Sequence, residues 1–197
     1  EVIRAIRSTV GRDFQLQVKL SAVDLHNVDP TPIHKSGNTI EDTLAIAKWC
    51  EAAGVDAIHV STGATFPHPL SPAGELPLRE FLTTYDAMVS SGELTLRNYI
   101  AFRMTWFHPV IRRIWGRFGK DQPVEGVNVA HARAIKKAVS LPVLVTGGFQ
   151  TASAVRDVLS GTEALDGVTI TRGLIANPDL LQQWAAGKDR PERPCTH

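Results

Sequence analysis

The chain has 197 residues, of which 43% are hydrophobic and 21% are charged, and its formal net charge is +1. This balance indicates a globular domain with a core and excludes a strongly basic nucleic-acid-binding protein, while two cysteines exclude a disulfide framework. No apolar run reaches the roughly 20 residues of a membrane span, and no leader pattern opens the chain. We therefore expect a cytoplasmic protein that binds neither nucleic acid nor a membrane.

The first segment, Glu1–Phe14, has the pattern of the end of a helix. Val2, Ile3 and Ile6 share one helical face, and Gly11 is a typical stop residue. Because a domain rarely begins in mid-helix without a cap, we expect that sequence upstream of this chain is missing.

Strand and helix patterns alternate through the rest of the chain. The predicted strands cover Phe14–Ser21, Val55–Gly63, Leu141–Gly148 and Leu165–Gly173. The predicted helices cover Thr39–Gly54, Asn128–Ser140 and Thr151–Gly161. Thr39 and Asp42 form a capping-box pattern at the start of the first of these helices. Alternation of this kind predicts an α/β fold with a parallel sheet, and four such units do not close an eight-stranded barrel.

Residues 66–125 carry no strand signal, and we expect them to form a helical insertion within a single domain spanning residues 1–197. The segment from Leu94 to Gly119 mixes aromatic residues with five arginines and contains no acidic residue. A helical hairpin over the core, a protein interface and a membrane-surface helix are all compatible with this pattern. Pro109 is expected to end or kink the second helix.

Two consecutive strands end in residues suited to binding an anion. Gly147 and Gly148 follow one strand, and Arg172 follows the next. Glycine lets backbone N–H groups approach a phosphate closely, the helix that starts near Thr151 adds a positive N-terminus, and arginine forks onto phosphate oxygens. Each feature alone has a simpler explanation, a tight turn or a surface ion pair. Together they predict a phosphate site.

The stretch "PVLVTGGFQTASAVRDVL", followed by "DGVTITRGLIANPDL", resembles the C-terminal end of the Old Yellow Enzyme family of NADH:flavin oxidoreductases. The segments "LQVKLS" and "AGVDAIHVSTG" are similar to the fifth and sixth barrel strands of that family. The ending "RPCTH" resembles the entry to a cysteine-rich segment in the branch related to 2,4-dienoyl-CoA reductase. Residues 66–125 lie outside this resemblance.

The resemblance implies an FMN-binding (β/α)8 TIM barrel of which this chain holds the C-terminal half, strands five to eight. It places Lys19 where the family usually has an arginine beside the flavin ring, so lysine supplies the charge without the bidentate fork. It implies that the FMN phosphate lies against these residues: Gly147, Gly148, Phe149, Thr171, Arg172 and Gly173.

The resemblance also implies that much of the active site lies elsewhere. The family's substrate-anchoring and proton-donating residues come from the first four strands, so the catalytic residues of this chain are unknown. The partner expected to complete the barrel is a missing N-terminal half or a second copy of the chain, because each end of a half-sheet is an open edge. Cys195 alone does not provide the four ligands of an iron–sulfur cluster, and no metal site is predicted.

The function implied is hydride transfer from NAD(P)H through the flavin to an activated C=C bond. A Schiff-base lyase or aldolase that uses Lys19, and a non-catalytic half-barrel that binds a phosphorylated ligand, are the alternatives. His26, His34 and His68 follow strands on the rim side, and each is a weaker candidate for substrate contact. His59 is expected to be a packed strand residue, and Asp24 is a possible ion-pair partner of Lys19.

Overall fold

A computed structural model describes residues 1–28, 37–63, 78–88, 93–119 and 125–195. The chain divides into two compact units. The first comprises Glu1–Thr65 and Pro123–Cys195, and the second comprises Phe66–Gln122 with Thr196–His197. The single domain with residues 66–125 inserted stays a prediction.

The first unit is built on a four-stranded parallel sheet with the strand order β1-β2-β3-β4. The strands are β1 (Gln17–Asp24), β2 (Ala57–Gly63), β3 (Val143–Thr146) and β4 (Gly167–Thr169). The helices of this unit are α1 (Val2–Val10), α2 (Ile40–Ala52), α6 (Val129–Ala138), α7 (Ala152–Leu159), α8 (Arg172–Ala176) and α9 (Leu180–Ala185). The predicted α/β class with a parallel sheet is confirmed.

The core lies between one face of the sheet and the helices. Alternate residues of neighbouring strands point to this face, and Ile58, Val60, Val143 and Val145 are fully buried there. Helix residues that complete the core include Ala47, Ala132 and Ile135. Because burial of each branched side chain stabilises the fold by about 1.5–3 kcal/mol, this layer fixes the register of the strands.

The opposite face of the sheet is more polar and more open. The strand register places four residues side by side across the sheet, one from each of β1 to β4: Lys19, His59, Leu144 and Gly167. Lys19 is exposed and His59 is half-buried. A Cβ atom added to Gly167 would lie 3.2 Å from Leu144 Cγ, so the leucine side chain covers this glycine.

Local sequence signals account for the end of α1 and for the start of α2. The Thr39 hydroxyl accepts a hydrogen bond from Asp42 N at 3.3 Å, and the Asp42 carboxylate accepts one from Thr39 N at 2.9 Å. These bonds hold the pKa of Asp42 below its usual value and confirm the predicted capping box. Gly11 ends α1 with φ at +76°, a conformation that glycine adopts without strain.

Arg7 attaches α1 to the rest of the first unit. Its guanidinium forms an ion pair with Asp56, and its Nε donates to Gly54 O at 2.9 Å. The Asp56 carboxylate also accepts from Leu16 N at 2.6 Å. These bonds hold the pKa of Asp56 below its usual value, with the backbone bond from Leu16 contributing most.

The second unit is helical in its described part: α3 (Leu78–Met88), α4 (Glu93–Arg103) and α5 (His108–Gly119). Its buried centre is formed by Phe81, Phe102 and Trp115. The centroid of the Phe81 ring lies 5.6 Å from that of Trp115 and 5.9 Å from that of Phe102. Such tilted ring pairs stabilise a cluster beyond simple burial.

The expectation for Pro109 is wrong in its detail. The preceding helix α4 has already ended at Arg103, and a short 3₁₀ turn, Thr105–Phe107, separates it from α5. Pro109 is the second residue of α5. At that position the missing N–H has no helical acceptor, so proline favours the start of a helix and does not end one.

Candidate functional site

The turn after β3 contains Gly147, Gly148 and Phe149. Gly147 is buried. A Cβ atom added to it would lie 3.1 Å from Val127 N, a contact too close for a side chain without a shift of its neighbours. Gly148 has φ at +74°, which strongly favours glycine. Phe149 is 2% exposed and belongs to the core. Packing around Gly147 and the positive φ of Gly148 therefore both favour glycine in this turn, and the predicted role of Gly147 in phosphate binding stays a prediction.

The segment that precedes α6 holds this turn from one side. Asn128, which is 4% exposed, donates from Nδ2 to Thr146 O at 2.7 Å. Its Oδ1 accepts from the Thr62 hydroxyl at the end of β2. Gly126 N donates to Gly147 O at 2.6 Å. The ends of β2 and β3 are thus tied together at the rim of the sheet.

Helix α7 does not offer its N-terminus to an anion, contrary to the prediction. Glu125 Oε2 accepts hydrogen bonds from Gln150 N at 2.8 Å and from Thr151 N at 3.0 Å. The next two amide groups donate to Asp189, through its backbone oxygen at 3.0 Å and its carboxylate at 2.7 Å. A carboxylate of the chain already occupies the position where helix geometry favours negative charge.

The turn after β4 contains Thr171, Arg172 and Gly173 and lies against the turn after β3. Gly173 is buried, and a Cβ added to it would lie 3.2 Å from Phe149 O. Thr171 and Arg172 are exposed, and α8 begins at Arg172. The structure therefore brings the two predicted turns together, and Gly173 is the residue that permits their contact.

Several donors in the two turns have no hydrogen-bond partner within the described ranges. Within the described ranges, the N–H groups of Gly148 and Phe149 donate no hydrogen bond, and the Arg172 guanidinium makes neither an ion pair nor a hydrogen bond. The N–H groups of Arg172 and Gly173 start α8 and so have no acceptor within that helix. Backbone amides and a guanidinium are the donors that a phosphate monoester prefers, so these residues are suited to a phosphate group.

Lys19 lies on the open face of the sheet, away from Asp24. Asp24 Oδ2 accepts from Asn38 N at 2.8 Å, and the described ranges contain no Lys19–Asp24 ion pair. The proposed ion pair is therefore absent there. The exposed Lys19 ammonium remains available to a ligand on this face.

His59 connects three strands of the open face, a role that the sequence pattern did not predict. Its Nε2 lies 2.7 Å from Thr169 Oγ1, and that hydroxyl also donates to Val145 O at 3.4 Å. Burial, and secondarily the charge of Lys19, lower the pKa of the His59 imidazole. His59 is therefore a hydrogen-bonded neighbour of Lys19 that takes up a proton less readily than a free imidazole.

Buried side-chain amides hold the C-terminal segment, and sequence reasoning missed them too. Gln150 donates to Cys195 O at 2.9 Å and accepts from Cys195 N at 2.6 Å. Asn177 donates to Arg193 O at 2.6 Å and accepts from Arg193 N at 3.0 Å. Each amide pairs with both polar groups of one residue, as a neighbouring strand would.

The remaining candidates do not form a site in the described part of the chain. His34, His68 and the side chain of His26 lie outside the described residues. Cys50 is 5% exposed, and burial raises the pKa of its thiol. The described ranges contain no cluster of three His, Cys, Asp or Glu side chains suited to a metal ion. None of the helices in those ranges is both long and apolar enough to cross a bilayer.

Comparison with known proteins relates the chain to oxidoreductases. Residues 113–197 match the family model of dihydrouridine synthase (Dus). An NADH oxidase of Thermoanaerobacter brockii is 26% identical over 195 residues, which are 99% of this chain and 22% of that protein. An NADPH dehydrogenase of Halalkalibacterium halodurans is 33% identical over 64 residues, which are 32% of this chain and 19% of that protein.

A solved structure shares the fold. The complex of 2-naphthoyl-CoA reductase with 2-naphthoyl-CoA superimposes with a TM-score of 0.59 at 19% identity, over 95% of this chain and 20% of that one. The chain thus spans about a fifth of the length of the relatives it matches. It is similar to oxidoreductases with TIM-barrel folds, and its four parallel strands form part of such a barrel.

Proposed function

We propose that this chain supplies the phosphate-binding part of an FMN-dependent NAD(P)H oxidoreductase of the Old Yellow Enzyme type. The coarser part of this proposal, a flavin-dependent oxidoreductase, is supported by the relatives named NADH oxidase and NADPH dehydrogenase and by the match to the dihydrouridine synthase model. The identity of the flavin as FMN rests on the motifs "TGG" and "TRGLIANPDL", and the branch related to 2,4-dienoyl-CoA reductase rests on the ending "RPCTH".

The observation that carries the proposal is the contact between the two strand-end turns. Gly173 lies against Phe149 O, so the unused amides of the first turn and the Arg172 guanidinium belong to the same edge of the sheet. A dianionic phosphate gains several charge-assisted hydrogen bonds from such a set of donors, each stronger than a neutral one.

Lys19 is the residue that we assign to the flavin ring. It is exposed on the open face, and its neighbour His59 is half-buried there, with a pKa lowered by burial and secondarily by the charge of Lys19. When bound, FMN supplies the hydride-transfer chemistry, from NAD(P)H to an activated C=C bond. The lysine ammonium would stabilise negative charge on a bound flavin ring, and the Thr169 hydroxyl is hydrogen-bonded to His59, the neighbour of Lys19 in the sheet.

Completion of the active site requires a partner for the sheet. Within the described part of the chain, β1 and β4 each pair with one strand only, so both are edge strands. We propose that a missing N-terminal half-barrel, or a second copy of this chain, covers these edges and brings the substrate-binding residues.

The test compares FMN with riboflavin, which lacks the phosphate. We expect Arg172→Ala to weaken FMN binding by about tenfold or more, because one charge-assisted interaction contributes about 1.5–3 kcal/mol, and to leave riboflavin binding unchanged. Arg112→Ala, which removes an exposed arginine from the second unit, is the control. Equal affinity of the full-length wild-type protein for FMN and riboflavin would contradict the proposal.

A further inference from the structure

The segment Glu125–Asn128 provides the anchors of the turn after β3. Asn128 bonds to Thr146 O, Gly126 bonds to Gly147 O, and Glu125 accepts from Gln150 N. The turn is therefore fixed at its first residues and again at its last. The N–H groups of Gly148 and Phe149 lie between the anchors and donate no hydrogen bond in the described ranges.

Glu125 acts on the turn more than on helix α7. Thr151 caps that helix itself, since its hydroxyl accepts from Ala154 N at 3.3 Å. Glu125 Oε2 instead accepts from Gln150 N, Thr151 N and the Thr151 hydroxyl, the last at 3.1 Å. These donors are the end of the turn, and three bonds to one half-buried carboxylate oxygen hold them in one arrangement.

Glu125 also decides where an anion can bind. Its carboxylate takes the amides that would make the start of α7 an anion site, so a phosphate must use the amides before Gln150 and the Arg172 guanidinium. Glu125 therefore orders the N–H groups before Gln150 and occupies those of Gln150 and Thr151 itself. This arrangement confines the ligand to one position.

We propose that Glu125 is a positioning residue for the cofactor phosphate: it orders the N–H groups of Gly148 and Phe149 by holding the end of their turn. This inference rests on the proposed function, because it concerns the same phosphate site. Glu125 needs no contact with the ligand. Its removal lets the turn move and exposes the amides of Gln150 and Thr151 to water.

The experiment measures the ratio of FMN to riboflavin affinity in the full-length protein. Glu125→Ala is expected to weaken FMN binding by about tenfold while leaving riboflavin binding unchanged, since riboflavin has no phosphate to position. Glu125→Gln keeps a neutral acceptor and is expected to give a smaller loss. If Glu125→Ala does not fold, Glu125→Gln decides the question, and an unchanged ratio then overturns the proposal.

Asp189→Ala is the matched control. Asp189 is also an acidic residue at the start of α7, where its carboxylate accepts from Ser153 N at 2.7 Å and from the Ser153 hydroxyl at 3.0 Å. Its removal is expected to lower the melting temperature without changing the FMN to riboflavin ratio. A ratio that falls equally in both variants would mean that Glu125 only stabilises the helix.

The two proposals fail in different ways. If wild-type protein does not prefer FMN, or if Arg172→Ala leaves the preference intact, the phosphate site is wrong and the role of Glu125 falls with it. If Arg172→Ala removes the preference and Glu125→Ala leaves it intact, only the positioning role is overturned.

Discussion

The half-buried imidazole of His59 makes folding sensitive to acid. Burial, and then the charge of Lys19, lower its pKa from the ordinary value of 6.5. The unfolded chain therefore binds a proton more readily than the native protein does. The stability linked to this residue is fully present above pH 6.5 and is lost as the pH falls toward the lower native pKa. His131, whose pKa burial also lowers, adds an effect of the same sign.

Replacement of His59 by glutamine is expected to weaken this pH dependence. Glutamine cannot take up a proton, and its amide can still bond to the Thr169 hydroxyl. Denaturant unfolding between about pH 5 and pH 8 should then show a smaller rise in free energy of unfolding with pH than in the wild type. His131 keeps part of the slope in the variant. Identical slopes in the two proteins would show that His59 does not carry the effect.

At the level of elements, local signals predicted helix and strand positions well. The Thr39–Asp42 capping box and the Gly11 stop both depend on residues close in sequence, and both occur as expected. The amide clamps on the C-terminal segment could not be predicted in this way. The bonded residues are 16 positions apart for Asn177 and 45 apart for Gln150, and no periodic pattern links them.

The Asn177 clamp provides a prediction for the C-terminal segment. Asn177 is 2% exposed, and Asn177→Ala leaves the polar groups of Arg193 without their partner. We expect a loss of about 1–3 kcal/mol in free energy of unfolding and faster hydrogen exchange at the Arg193 amide. Gln182→Ala removes an exposed amide from α9 and is the control, with little expected effect. Unchanged exchange at Arg193 would contradict the role of the clamp.

At the scale of the whole molecule, alternating strand and helix patterns were sufficient to predict a parallel sheet. They also predicted which strand-end turns meet, because neighbouring parallel strands end at the same edge. They did not predict that Glu125 fills the start of α7. That carboxylate is 25 residues from Gln150 in sequence, and only the folded position of the segment before α6 brings it there. The strand-end donors were therefore predictable from the sequence. The occupation of the start of α7 by the Glu125 carboxylate was not.

The open edges of the sheet lead to the last prediction. In the described part of the chain, β1 and β4 have one pairing edge free, and Val2 and Phe14 are 73% and 59% exposed. Unpaired strand edges and exposed apolar side chains both favour association. We expect the 197-residue chain, expressed alone, to form dimers or larger species whose mass rises with concentration in sedimentation velocity.

Substitutions in each unit test which exposed surface is responsible for the association. Val2→Glu with Phe14→Glu is expected to reduce association, because two charged side chains replace exposed apolar ones near the N-terminus of the first unit. Trp106, which is 71% exposed in the second unit, provides the matched comparison: a loss of association in Trp106→Glu and none in the first variant would assign the contact to the second unit. Addition of the N-terminal half-barrel proposed as its partner should convert the self-associated chain to a single stoichiometric complex, since it competes for the same edges. A chain that stays monomeric at every concentration would show that its sheet edges need no partner.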